Sequence, residues 1–212
     1  MLRRIRRRLG SVPPFFASAV DTPAVLAELW RQTETAYLDN PLPGLFKEKV
    51  GVLLSRYGSV PYCLFCHVAS MRPLGLDGDD IVGLLSDAEL DLSRISEACR
   101  APHLRDGPWS EHGTQDEMSA LKLAVGLFLS IDRETCLARL RALIGPGNVA
   151  ALLLFINYKR LCFDWALSHP TLDVEADARV REHFPALRVS HPALASTLIA
   201  SAVGQREKAA AW

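Results

Sequence analysis

Apolar positions recur at helical spacing through most of this chain, and runs of alternating polarity that would mark strands are absent. The pattern predicts a first helix opened by Thr22 and Pro23, with Val25, Leu26, Leu29, Trp30 and Tyr37 as its apolar stripe and Asn40-Pro41-Leu42-Pro43 as its end. A second helix over 45–56 offers Leu45, Val52, Leu53 and Leu54 for packing and sets Glu48 and Ser55, seven residues apart, on one face. Tyr57-Gly58-Ser59 reads as a turn. Pro61 suits the first turn of the next helix, where its missing N–H costs nothing, and that helix runs to Met71 before Pro73.

Beyond a loop at 74–78, a short helix is expected over 79–85, and Ser86-x-x-Glu89 has the form of a capping box for another ending near Arg100. Proline, glycine, histidine and charge then make 101–113 a loop. A second capping box, Thr114 to Glu117, precedes Leu121, Leu123, Val125, Leu127, Phe128 and Leu129. Asp132 opens a segment expected to stop at Gly145-Pro146-Gly147, after which Asn148 caps the most apolar helix, striped by Leu152, Phe155, Tyr158, Cys162 and Trp165. A short charged helix over 173–183 and a final alanine-rich one from Pro192 complete an all-α reading.

Composition agrees with a packed helical protein: 212 residues, 49% hydrophobic, few aromatics. With 24 basic and 24 acidic residues there is no global field to draw nucleic acid or an anionic substrate. Arg3, Arg4, Arg6, Arg7 and Arg8 crowd the start, so residues 1–20 read as a basic, flexible tail and 21–212 as a single domain. Pro13 and Pro14 interrupt what could pass for a secretory h-region, and the longest unbroken apolar run, 149–156, is too short to span a bilayer. The expectation is a cytoplasmic protein without a membrane span.

Five cysteines, Cys63, Cys66, Cys99, Cys136 and Cys162, are an odd number with one close pair, unlike an extracellular disulfide framework. Cys99, Cys136 and Cys162 fall at apolar positions and read as small buried hydrophobes. The chemistry concentrates in Pro61-Tyr62-Cys63-Leu64-Phe65-Cys66-His67. Cys63 lies near a helix N-terminus, where partial positive charge favours thiolate, and Cys66 and His67 follow at helical spacing on its face. Read formally, Cys63 to His67 is also C-x-x-C-H, the haem attachment pattern, which requires export and a distal ligand that Met71 on the same helix does not supply. One turn provides at most three zinc ligands, and the other histidines lack ligand spacing, so neither metal nor cofactor is expected.

Glu48, Ser55, then Tyr62-Cys63-x-x-x-His67 resembles the active-site segment of the alkylhydroperoxidase D and carboxymuconolactone decarboxylase-like superfamily. Aligned without a gap, Glu48, Ser55, Cys63 and His67 match that family's Glu, Ser, second Cys and His, while Val60 stands at the position of its first Cys. Sliding the register by three would match both cysteines but put Ser70 where the histidine belongs. Phe155-Ile156-Asn157-Tyr158 to Trp165-x-x-x-His169-Pro170 is similar to the closing helix of family members attached to sensory modules.

The resemblance implies an alkylhydroperoxidase D-like helical bundle with a helix-turn-helix thiol site, assembled as a homo-oligomer. It further implies a thiol-dependent peroxidase or disulfide oxidoreductase. In that reading Cys63 attacks a peroxide, Cys66 condenses with the resulting sulfenic acid, His67 and Glu48 relay protons, Ser55 and Tyr62 support them, and an external dithiol restores the thiols. Two alternatives accompany it: a catalytically silent module that binds a ligand or partner, and a decarboxylase-like enzyme in which His67 and Glu48 handle protons and the thiols are incidental.

Overall fold

The computed structural model describes residues 1–86, 113–193, 195, 196 and 198. The protein is all-α: among the described residues there is no strand. Its helices are α1 (Leu2–Leu9), α2 (Pro14–Ala17), α3 (Pro23–Thr33), α4 (Gly44–Tyr57), α5 (Pro61–Met71), α6 (Gly78–Ser86), α7 (Gln115–Leu129), α8 (Arg133–Leu167) and α9 (Ala178–Ser190). The expected helix from Ser86 and the loop over 101–112 lie outside the described residues, as does most of the alanine-rich C-terminal segment.

Helices α4 and α5 form a hairpin across the turn at Gly58. The hairpin is enclosed by α7 against α4, α9 against α5, and α8 against both. α4 is buried nearly all round, which explains how Lys47, Glu48 and Lys49 can all lie inside. Each has a partner: Lys47 donates to the carbonyls of Tyr37 (2.6 Å) and Asn40 (3.0 Å), and Lys49 pairs with Glu117 of α7 at 2.7 Å. The capping box before α7 forms as read, with Thr114 Oγ1 accepting from the Glu117 amide at 3.2 Å.

Three features differ from the sequence expectations. The basic segment 1–20 is folded rather than a tail. Leu2, Ile5 and Leu9 make an apolar stripe among the arginines of α1, Ile5 is fully buried, and Phe15 and Phe16 enter the core. Arg4 and Arg8 pair with Glu34 and Asp39, so part of the basic cluster is balanced within the chain.

Second, α3 continues as a π-helical turn, Glu34–Leu38, in which the Asp39 amide bonds the Glu34 carbonyl at 2.8 Å. The widened turn stacks Tyr37 on Phe155 and Tyr158 of α8, at 6.2 Å from each, and sets it edge-on to His67.

Third, the helical path breaks at Gly145 as expected, so that α8 is two helical runs meeting across a kink, but the second run does not start from an Asn148 cap. Proline drives the preceding residue out of the helical region, and Gly145 tolerates the resulting φ of 77°. Asn148 does not cap a new helix; its side-chain amide donates to the Ile144 carbonyl at 2.8 Å across the kink. By length and composition α8 meets the requirement for a membrane-crossing helix, with 33% of its most apolar 18-residue window buried. A core helix meets the same requirement.

Candidate functional site

The centre of the site is a row of four side chains from four elements. Tyr37 of the π turn donates its hydroxyl to Glu48 Oε1. The other oxygen of Glu48, on α4, lies 2.7 Å from His67 Nδ1 on α5, and His67 Nε2 lies 2.6 Å from Lys159 Nζ on α8. Glu48, His67 and Lys159 are 4%, 6% and 3% exposed, so the row operates away from bulk water. Gly51, just under one turn after Glu48, makes the close approach possible: a Cβ there would stand 2.6 Å from two ring atoms of His67.

The hydrogen bonds assign the protons. Lys159 can only donate, so His67 Nε2 accepts; Nδ1 then carries the ring proton and donates to the Glu48 carboxylate. Burial, and then the Lys159 ammonium, push His67 down to about 4, which keeps the imidazole neutral. Burial opposes the charge of Glu48, but His67, Tyr37 and Arg179 outweigh it and hold the carboxyl below its ordinary range. A buried cation and a buried anion are thus bridged by a neutral ring.

Beside this row lies a cavity of about 70 Å³, walled by Cys63, Cys66 and Tyr62 of α5, Lys159 and Cys162 of α8, and Arg179 of α9, among others. At about 10–15 Å³ of such space for a single water, this leaves room for a few waters or for the reacting end of a small substrate. A wider pocket of about 300 Å³ adjoins it, with Tyr37 and Arg179 bordering both and Glu48, Lys47 and His183 on its own wall.

On the α9 side, Asp177 collects donors. Cys66 Sγ donates to its Oδ2 at 3.6 Å, the Tyr62 hydroxyl at 3.2 Å and Arg179 Nη2 at 3.0 Å, while the Arg179 backbone amide and Nε reach Oδ1. Burial works against its charge, and Arg179 outweighs burial, keeping Asp177 ionised well into acid.

The structure brings together Glu48, Cys63, Cys66, His67 and Tyr62 from the residues singled out in the sequence. Ser55 is not among them: it is fully buried, donates to the Gly51 carbonyl at 2.6 Å, and serves the helix. Cys63 does occupy the first turn of α5, after Val60 as N-cap and Pro61, as expected. Its electrostatics differ from the expectation of a thiolate, however. Burial raises the Cys63 thiol, with Lys159 and Arg179 pulling only part of the way back; it raises Cys66 further and pushes Cys162 up to about 12. Desolvation exceeds the helix-end effect because Cys63 is only 5% exposed. Among the described residues no cysteine pair is at disulfide distance.

Sequence reasoning missed Lys159, Tyr37, Cys162, Asp177 and Arg179. Lys159 left a readable signal, since it shares the buried stripe of the most apolar helix with Phe155, Ile156 and Cys162. A lysine on such a stripe needs a partner. Asp177 and Arg179 left none, being charges in a charged segment. Comparison with known protein families, curated proteins and solved structures gives no match to this chain.

Proposed function

We propose that this protein is a thiol-dependent peroxidase or disulfide oxidoreductase whose attacking sulfur is Cys63. The observation that carries the reading is the hydrogen-bonded row Glu48–His67–Lys159 alongside a cavity that Cys63, Cys66 and Cys162 all line. Cys63 Sγ attacks the terminal oxygen of a hydroperoxide entering that cavity and becomes a sulfenic acid as the O–O bond breaks. Lys159 gives a proton to the departing alkoxide, and the thiol's proton returns to the Lys159–His67 pair, so the net transfer runs from sulfur to the leaving oxygen. A second thiol of the cavity then closes a disulfide with release of water, and an external dithiol restores both sulfurs.

A thiol kept protonated at rest fits this order of events. Burial guards it from adventitious oxidation, and the cations Lys159 and Arg179 oppose the effect of burial, so a thiolate formed during attack is partly compensated. The same reading has the chain acting in the cytoplasm as a homo-oligomer.

The test is peroxide consumption by the reduced protein with a small dithiol present, using hydrogen peroxide and cumene hydroperoxide, alongside mass spectrometry of the thiols. Cys63→Ser is expected to abolish turnover. Free Cys63 after peroxide exposure, with neither oxygen adduct nor disulfide, would remove the proposal and leave a silent binding module.

A further inference from the structure

We propose that Cys162, on α8, is the thiol that closes the disulfide with oxidised Cys63. The inference rests on the peroxidase reading above and replaces its expected second sulfur, Cys66, with one from another helix.

The positions follow from the contact between α5 and α8. These helices meet at the His67–Lys159 hydrogen bond of 2.6 Å. Cys63 lies about one turn before His67 and Cys162 just under one turn after Lys159, and both sulfurs line the same small cavity. Lys159 stands between them in charge as well as in place, since its ammonium favours the thiolate of each. The Tyr158 hydroxyl lies beside Cys162 and 3.0 Å from Thr33 Oγ1, so Cys162 has a neutral polar neighbour as well as the cation.

Cys66 is placed differently. Its S–H is committed to Asp177 Oδ2, an oxygen that Tyr62 and Arg179 also hold. Deprotonated Cys66 would face the Asp177 carboxylate as well as the Arg179 cation, whereas deprotonated Cys162 would face the Lys159 cation. The backbone separates the two as well. Residues three apart on a helix hold their Cβ atoms about 5–6 Å from each other, while a disulfide needs about 3.8 Å. Closing Cys63 on Cys66 therefore strains the first turn of α5, which Pro61 stiffens. A bond between α5 and α8 can draw on side-chain rotation and a helix shift of about 1–2 Å.

The step balances with a hydroperoxide as oxidant. Cys162 sulfur attacks the sulfenic sulfur of Cys63, the S–S bond forms, and the sulfenic hydroxyl leaves as water with the Cys162 proton. A dithiol reductant later returns both thiols.

The experiment treats the reduced full-length chain with an equimolar amount of cumene hydroperoxide, blocks free thiols, digests without reduction and maps disulfides by mass spectrometry. The expected product joins the Cys63 and Cys162 peptides, lighter by two hydrogens than their sum, and persists in Cys66→Ala. In Cys162→Ala, checked for native helix content by circular dichroism, that crosslink is lost and Cys63 stays at sulfenic acid, going on to sulfinic acid when a second equivalent of hydroperoxide is added. A disulfide from Cys63 to Cys66 or to any other cysteine in the wild-type chain overturns the proposal. So does a persistent Cys63 sulfenic acid with Cys162 still free. Cys63 left unoxidised in every variant overturns the peroxidase reading itself, a distinct result.

Discussion

The ammonium of Lys159 lies 2.6 Å from Nε2 of His67, a residue 92 positions earlier in the chain, and both are almost fully buried. This contact joins the kinked helix α8 to the hairpin of α4 and α5. It also decides the tautomer of the histidine, because a cation at one ring nitrogen leaves the other to donate to Glu48.

Replacing the cation tests that relationship. In Lys159→Met the ammonium that depresses His67 is gone, so the His67 titration moves up from about 4, with the pull of Glu48 then opposed by burial and Arg179. The Cys63 thiol moves up too, since Lys159 is the larger of the two charges opposing its burial. Histidine NMR titration and the pH profile of Cys63 alkylation read the two shifts. An unmoved His67 would mean that the two groups do not share a proton.

Stability should fall with acid in a defined window. His67 titrates at about 4 in the folded chain against 6.5 ordinarily, so the unfolded chain takes up its proton first as pH drops. The contribution is complete above pH 6.5 and is lost between 6.5 and 4, roughly 3 kcal/mol at about 1.4 kcal/mol per unit. Glu48, held below 4.5, adds a loss of the same sign at lower pH. Urea unfolding at a series of pH values measures the slope, and His67→Gln should flatten it between pH 6.5 and 4.

Gly51→Ala puts a methyl 2.6 Å from the His67 ring, a distance that real Cβ contacts do not reach. Because the ring is held at both nitrogens, relief must come from separating α4 and α5, at a cost of about 1–3 kcal/mol. The expected results are a lower denaturation midpoint and a perturbed His67 signal. An unchanged midpoint would show that the ring does not lie against the α4 backbone.

Ile5→Ala distinguishes a docked α1 from a loose basic tail. Truncating a fully buried isoleucine costs about 2–5 kcal/mol, whereas the same change in a solvated tail costs almost nothing. Chemical denaturation of the variant is the measurement.

Much of the helical order was legible in the sequence because its signals are local. Pro61 opens α5, Thr114 caps α7 and Asp132 opens α8, each by chemistry contained within a few residues. Of the site, Cys63, Cys66 and His67 were legible from helical spacing, and Glu48 from the resemblance of its segment to a known active site. The break at Gly145 was legible, whereas the role of Asn148 and the packing of α1 were misjudged. An asparagine after glycine and proline resembles a cap although its side chain bonds back to Ile144, and five arginines obscure the stripe of Leu2, Ile5 and Leu9.

What the amino-acid order determined by itself was the set of helices and a thiol-imidazole grouping on one of them, to which the resemblance added the Glu48 carboxylate. Which charges surround that grouping was decided only by tertiary packing, which brings Lys159, Arg179 and Cys162 to it from remote helices and buries Lys159 and Cys162. Helix spacing is local and can be read along the chain. Desolvation and the fields of distant charges depend on what lies opposite in space, and here they turned an expected thiolate into a protonated thiol beside a neutral histidine.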